Sequence, residues 1–293
     1  MKDIDGIIVI NKSKNYTSHD IVAKVRKILN IKKVGHTGTL DPNATGVLSL
    51  LIGNGTKLSK YLINHDKEYE VVLKLGIKTN TADGEGNIIE ERNIDKNILN
   101  KENVQKIIKK FIGEQLQVPP MYSAIKIKGK KLYEYARSGQ KIELEPRKIK
   151  IYKIDIIDIN SKENEISFKV QCSKGTYIRS LCEDIANSLG TVGYMKELNR
   201  TKVGIFNIEN AITIQELEEN LNEEFIKDKL ITMEKLFKDK EKINLNNNQL
   251  KHFMNGVKIT VSKENGIYNI YNENKYIGIG SVEDKLLKRD IIK

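Results

Sequence analysis

The period of the apolar residues changes repeatedly along this 293-residue chain, and that irregular change narrows the fold more than any other feature. Residues 6–11 are almost continuously apolar, as in a buried strand. Ile21, Val22, Val25, Ile28 and Leu29 then recur at helical spacing and stop at Asn30. Thr17 with Asp20 three residues later has the form of a capping box at the start of that helix. Tyr69, Val71, Leu73 and Leu75 alternate within a strand at 68–75, and 166–172 alternates in the same way. Helical patterns cover 56–64, 94–111 and 176–189, the last ended by Gly190, and 121–127 reads as a further strand. Strands and helices interspersed without a fixed repeat predict a mixed α/β domain.

The same survey excludes several classes. No run reaches the eighteen or so apolar residues that a membrane helix needs, and the N-terminal apolar stretch is too short and too acidic for a secretory signal, so the expectation is a cytoplasmic protein. Cys172 and Cys182 lack the spacing of a metal site and the four His are scattered, so no metal site is expected and the thiols read as buried and structural. The 39% hydrophobic content suffices for a core in one large domain, or a large domain plus a small one. Residues 235–249 are polar and Asn-rich, suiting a connection, and short alternating strands follow. The expected division is therefore a large domain over 1–233 and a small β-rich module over 234–293 that docks against it.

Fifty Lys and Arg oppose 39 Asp and Glu, a net charge of +11 that suits a polyanionic partner. Between Lys126 and Lys153 ten basic residues face three acidic ones, with Tyr133, Tyr135 and Tyr152 interleaved. Cations among aromatic rings suit nucleic acid, since charge meets phosphate and rings meet bases. A solvated lysine-rich surface has the same composition.

The densest cluster of turn residues is GHTGTLDPNATGVL at 35–48. Within it Leu40-Asp41-Pro42-Asn43 has Asp and Pro where a type I turn wants them, so Asp41 either serves that turn or is presented by it. The glycines fit neither a phosphate loop nor a dinucleotide fingerprint.

This segment resembles the signature of TruB-type tRNA pseudouridine-55 synthases, and further motifs follow it in order. These are Asp66-Lys67-Glu68-Tyr69, PPMYSAIKIKGKKLYEYAR at 119–137, CSKGTYIRSL at 172–181, and Leu198-Asn199-Arg200-Thr201. The resemblance spans residues 5–200. More weakly, YIGIGSVEDKLLKR at 276–289 is similar to the end of a PUA-like RNA-binding domain.

The resemblance implies a mixed, largely antiparallel sheet flanked by helices. It also implies conversion of the T-arm uridine 55 of tRNA to pseudouridine, without a cofactor, by a monomer that needs no protein partner. Asp41 matches the family nucleophile and Arg179 the cation that keeps it ionised and directed. Tyr69 matches the tyrosine packed on the target base, and Tyr177 and Leu198 match positions lining the base pocket. His36 matches the histidine that meets the RNA where the base has been turned out of its stack. Lys128, Lys130 and Lys131 would hold T-arm phosphates, which positions the RNA without reading its sequence. Asn199 departs from the pattern, which has a second basic residue beside Arg200. Two other functions fit parts of the sequence: an RNA-binding or RNA-folding protein without catalysis, and a guide-RNA-dependent pseudouridine synthase.

Overall fold

The computed structural model describes residues 4–123, 125–127, 129–140 and 142–293. Its largest feature is a nine-stranded mixed sheet. In spatial order the main path runs Gly6–Lys12, Thr45–Ile52, Gly193–Val203, Lys67–Leu75, Glu165–Cys172, Arg147–Asn160 and Gly113–Gln117. Neighbours along it are antiparallel except where Gly193–Val203 meets Thr45–Ile52 in parallel, at Asn199 opposite Thr45 and Arg200 opposite Gly46.

Alternation assigns the faces. Tyr69, Val71, Leu73 and Leu75 are buried, and together with Ile166, Phe168 and Val170 they pack under helices Lys101–Lys109 and Ile178–Ser188. Ile8, Ile10, Leu48 and Leu50 pack likewise under helix Ser18–Leu29. That helix starts at Thr17 with the expected capping box, and it ends at Asn30 in the left-handed conformation.

Local hydrogen bonding explains where the elements depart from the periodicity. The stretch 94–111 is divided into a 3-10 turn, Lys96–Leu99, and the helix Lys101–Lys109. Asn100 lies between them with its side chain accepting from the Asn103 amide, a cap that breaks the helix in two. Among the described residues of 121–127 only Lys126–Ile127 is strand, in a two-stranded hairpin with Lys130–Lys131. The carbonyls of Ser123 and Ile125 accept instead from the amides of Tyr133 and Leu132, folding this segment onto the short helix Leu132–Arg137. Residues 56–64 form a 3-10 helix, Gly53–Leu58, followed by one turn of α-helix, Ser59–Leu62.

The polar stretch 235–249 is not an open connection. Lys242–Asn244 pairs in parallel with Gly266–Asn272 as an edge of the five-stranded C-terminal sheet, and Asn246 caps the helix Asn247–Met254. Buried Asn269 donates to the carbonyls of Phe237 and Lys240, so asparagines here hold structure together. The C-terminal sheet shares an apolar cluster with the main sheet, in which Val9, Val47, Leu51 and Leu58 pack with Tyr276, Ile279 and Ile291. At its rim Asp290 accepts from Lys60 and from the Tyr61 hydroxyl. No helix among the described residues is long and apolar enough to cross a membrane.

Because fully buried Ile279 belongs to this shared cluster, Ile279→Ala is expected to cost about 2–5 kcal/mol and to lower one common unfolding transition, followed by circular dichroism. A separate early transition, with the main sheet melting unchanged, would show the two sheets to be uncoupled.

Candidate active site

Strand Val34–Thr37 pairs antiparallel with Thr45–Ile52, so residues 38–44 connect neighbouring strands at the end of the sheet. Gly38 adopts a left-handed φ of 77°, and the Ala44 amide donates to the Asp41 carbonyl, closing the turn that the sequence predicts. Buried Leu40 anchors the loop from inside, its amide donating to Ser18 Oγ and its carbonyl accepting from the same hydroxyl. Two cations brace the loop from beneath. Lys12 Nζ donates to the carbonyls of Pro42 (2.9 Å), Tyr16 (2.7 Å) and Ser13 (3.0 Å). Burial pushes this ammonium down to about 8, opposed by the nearby Asp41 charge. Arg200, only 1% exposed, donates from Nε to Val47 O (2.8 Å), from Nη2 to Gly38 O (2.9 Å) and from Nη1 to Thr39 O (3.4 Å). Gly46, with φ of 104°, leaves room for it, since a Cβ there would sit 2.2 Å from the Arg200 carbonyl oxygen.

Arg179 stands in the first turn of helix Ile178–Ser188, its side chain 7% exposed. Its Nε lies 3.2 Å from Asp41 Oδ2 and its Nη1 lies 3.3 Å from Asp83 Oδ2. It also donates to the carbonyls of Thr81 (3.2 Å) and Tyr122 (2.8 Å), so neighbouring loops hold the guanidinium in one orientation. Asp83 is itself fixed, because its Oδ1 accepts from the Thr81 hydroxyl (2.6 Å) and from the Glu85 amide (3.1 Å).

Asp41 keeps 38% of its side chain accessible, and that access opens into a cleft of about 810 Å³ that the carboxylate helps to line. Burial by the crowded walls raises its pKa above the ordinary carboxylate value; Arg179 opposes this, Asp83 adds to it, and Lys12 and Arg200 oppose it more weakly.

Tyr69, Tyr177, Leu198 and Arg200 share the cleft with Asp41 and Arg179, and exposed Arg147, Lys148 and Lys174 add positive charge to its walls. Leu198 and Arg200 lie on one strand, opposite Val71 and Tyr69 on the next. Tyr69 is buried, directly opposite Arg200 in the register of the two strands. Its phenol is pushed up to about 12, chiefly by burial and against the pull of Arg200. Tyr177 precedes the Arg179 helix, fixed by Gln117, which accepts from its amide (2.8 Å) and donates to its carbonyl (3.1 Å).

The remaining residues singled out in the sequence fall less uniformly. His36 is half-buried on the strand leading into the Asp41 loop, with its ring edge-on to His19 at 5.3 Å. It is not among the described residues lining the cleft, and burial shifts its imidazole toward the neutral form. Lys131 Nζ lies 3.2 Å from the hydroxyl of Tyr133, which lines the cleft, while Lys130 is exposed on the hairpin; neither lysine lines the cleft itself. Lys128 lies outside the described residues.

Sequence reasoning missed Lys12 and Asp83, and gave Arg200 no role of its own in the site. Lys12 had a signal, since it follows Ile8 and Ile10 at strand spacing on the inward face. Arg200 had the same one, two residues beyond Leu198. Asp83 sits in a polar loop without periodicity, which a bridge between Asp83 and Met195 and the bond from Arg179 to the Thr81 carbonyl fix in place.

Residues 26–178 match the family model for the N-terminal domain of TruB pseudouridylate synthases, and 179–245 match that for the C-terminal domain of tRNA pseudouridylate synthase B. The chain is 46% identical over 283 residues to the tRNA pseudouridine synthase B of Clostridium tetani, with 94% of this chain and 95% of the relative covered. It is 38% identical over 286 residues to that of Aquifex aeolicus, covering 97% and 98%. Among solved structures, the Cbf5 chain of a Cbf5-Nop10-Gar1 complex superposes with a TM-score of 0.69 at 25% identity, covering 98% of this chain and 84% of that one. With two family models matching in tandem and relatives aligned over nearly their whole length, the chain belongs to the TruB family of tRNA pseudouridine synthases.

Proposed function

We propose that the protein isomerises uridine 55 in the T-arm of tRNA, with Asp41 as nucleophile, the base turned out into the cleft, and no cofactor. The observation that carries this reading is the Asp41–Arg179 pair at 3.2 Å inside a cleft large enough for a nucleoside. An ionised carboxylate beside a fixed guanidinium can attack an electrophilic carbon and leave again, which is what cutting and remaking the bond between base and ribose requires. Tyr69, Tyr177 and Leu198 offer an aromatic and apolar lining for the uracil ring, helping to offset the few kcal/mol lost on unstacking it. His36, kept neutral, meets the RNA beside the vacated position. Lys128, Lys130 and Lys131 with the neighbouring basic strand hold phosphates. Residues 1–233 act as the catalytic domain and 234–293 as a PUA-like domain extending the RNA contact. The curated relatives are tRNA enzymes aligned over nearly their whole length, which favours a stand-alone monomeric enzyme over a guide-RNA assembly.

Asp41→Asn is expected to bind a T-arm stem-loop within about threefold of the parent affinity while forming no pseudouridine, read by mass spectrometry of the digested RNA. Normal product would remove Asp41 from the reaction.

The pH dependence follows from the raised Asp41 pKa. The ionised form is the reactive one, so the single-turnover rate falls as pH drops through a value above the ordinary carboxylate range. Asp83→Asn removes a neighbouring negative charge that raises this value, so the acid limb of the pH–rate profile is expected to move to lower pH even if the plateau falls. An acid limb that stays in place or moves upward would contradict this assignment.

Neutralising Lys130 and Lys131 together is expected to weaken binding and to flatten the dependence of log affinity on log salt by up to about 0.9 for each lost phosphate contact. An unchanged slope would take the hairpin out of the RNA interface.

A further inference from the structure

Gln117 ends the edge strand Gly113–Gln117, is only 5% exposed, and is not among the described residues lining the cleft. Both ends of its amide go to one residue. Oε1 accepts from the Tyr177 amide at 2.8 Å, and Nε2 donates to the Tyr177 carbonyl at 3.1 Å. These partners fix which way the side chain is turned, because an N–H only donates and a carbonyl only accepts. The pairing copies the two bonds that facing residues exchange across an antiparallel ladder, and it holds Tyr177 extended, with φ of −97° and ψ of 112°. A carboxamide supplies acceptor and donor from one plane, whereas an ionised carboxylate accepts only and an apolar chain does neither.

Tyr177 lines the cleft, and it is also the N-cap of helix Ile178–Ser188, a helix whose start it does not cap with its own side chain. Arg179 follows two residues later. The loop beyond Gln117 fastens the same turn: Ser180 Oγ donates to the Val118 carbonyl at 3.1 Å, and Arg179 Nη2 to the Tyr122 carbonyl at 2.8 Å. Residues 117–122 therefore stitch the first turn of the Arg179 helix to a strand that is itself paired into the main sheet, with Gln117 opposite Arg147.

We propose that Gln117 is a positioning residue for the isomerisation, one that acts through the Tyr177 backbone to set the Tyr177 ring against the target base and the Arg179 guanidinium against Asp41. This rests on the proposed function and extends it to a residue outside the cleft. Without the clamp the helix start loses its outside anchor, and the origin of the Arg179 side chain is free to shift. A displacement of about 1 Å in a reacting geometry can cost about a hundredfold in rate.

The test compares the parent enzyme with Gln117→Met, which keeps the length of the side chain and removes both bonds. Stem-loop affinity and single-turnover pseudouridine formation at saturating enzyme are measured across pH. Affinity is expected within about threefold of the parent and the saturated rate about a hundredfold lower, with the acid limb of the pH–rate profile moved to higher pH. The sign follows because Arg179 opposes the burial that raises the Asp41 pKa, so a looser guanidinium lets it rise further. Asp83, Lys12 and Arg200, the other charges acting on that carboxylate, are left in place by the change. An unchanged saturated rate would overturn the proposal, and so would a lower rate with the acid limb unmoved, the result that loss of folded protein alone gives. If Gln117→Met does not fold, judged by circular dichroism, Gln117→Asn carries the same measurements, since its amide is one methylene too short to span both bonds. If neither folds, Gln117 serves the fold and not the site, and the proposal falls. A parent enzyme that makes no pseudouridine would instead refute the proposed function.

Discussion

A carboxylate recessed into the wall of a protein cleft loses water that favours its charge, and the architecture around Asp41 sets fixed cations against that loss. Arg179 touches the carboxylate at 3.2 Å, while Lys12 and Arg200 lie behind the loop and act on it through its carbonyls and through their charge. Each of the three also donates to backbone carbonyls around the loop, so removing any one would take partners from those oxygens. Asp83 works in the other direction. It holds Arg179 in place and adds negative charge, so the raised Asp41 pKa is the balance of burial and like charge against three cations.

The sheet supplies these groups from sequence positions far apart. Lys12 ends the first strand and Asp41 lies between the next two; Tyr69 and Arg200 face one another across neighbouring strands. Arg179 comes from the helix that covers the same sheet. The parallel contact of Asn199 and Arg200 with Thr45 and Gly46 joins the two halves of the sheet and brings Arg200 under the Asp41 loop. A left-handed glycine at 46 is what permits so close an approach.

Much of this fold was legible because alternation and helical spacing are direct signatures of which face is buried. The helix that starts at Thr17, the strand carrying Tyr69 and the helix carrying Arg179 all lie within a few residues of where periodicity places them. Periodicity failed where side chains compete for backbone bonds. Asn100 divided a helix, and asparagines around 246 and 269 built structure in a stretch whose composition suggests a linker. In the site, Asp41 and Arg179 stood out through motifs. Asp83 did not, since its role depends on a loop meeting a strand more than a hundred residues later, and no local pattern encodes that meeting.

Arg200 shows why charge counted along a sequence is a weak guide to where charge acts. The chain carries a net +11, and its exposed basic segment suits a phosphate backbone. Arg200 and Lys12 belong to the same count yet face inward, bonded to carbonyls under the Asp41 loop. Exposed lysines are screened by salt and can be lost one at a time with modest effect. Buried cations are screened far less, and their removal leaves oxygens without partners. The two populations therefore divide the work. Under the proposed function the outer one would raise the local concentration of RNA, while the inner one sets positive charge against the burial of an acidic side chain at the centre of a basic protein.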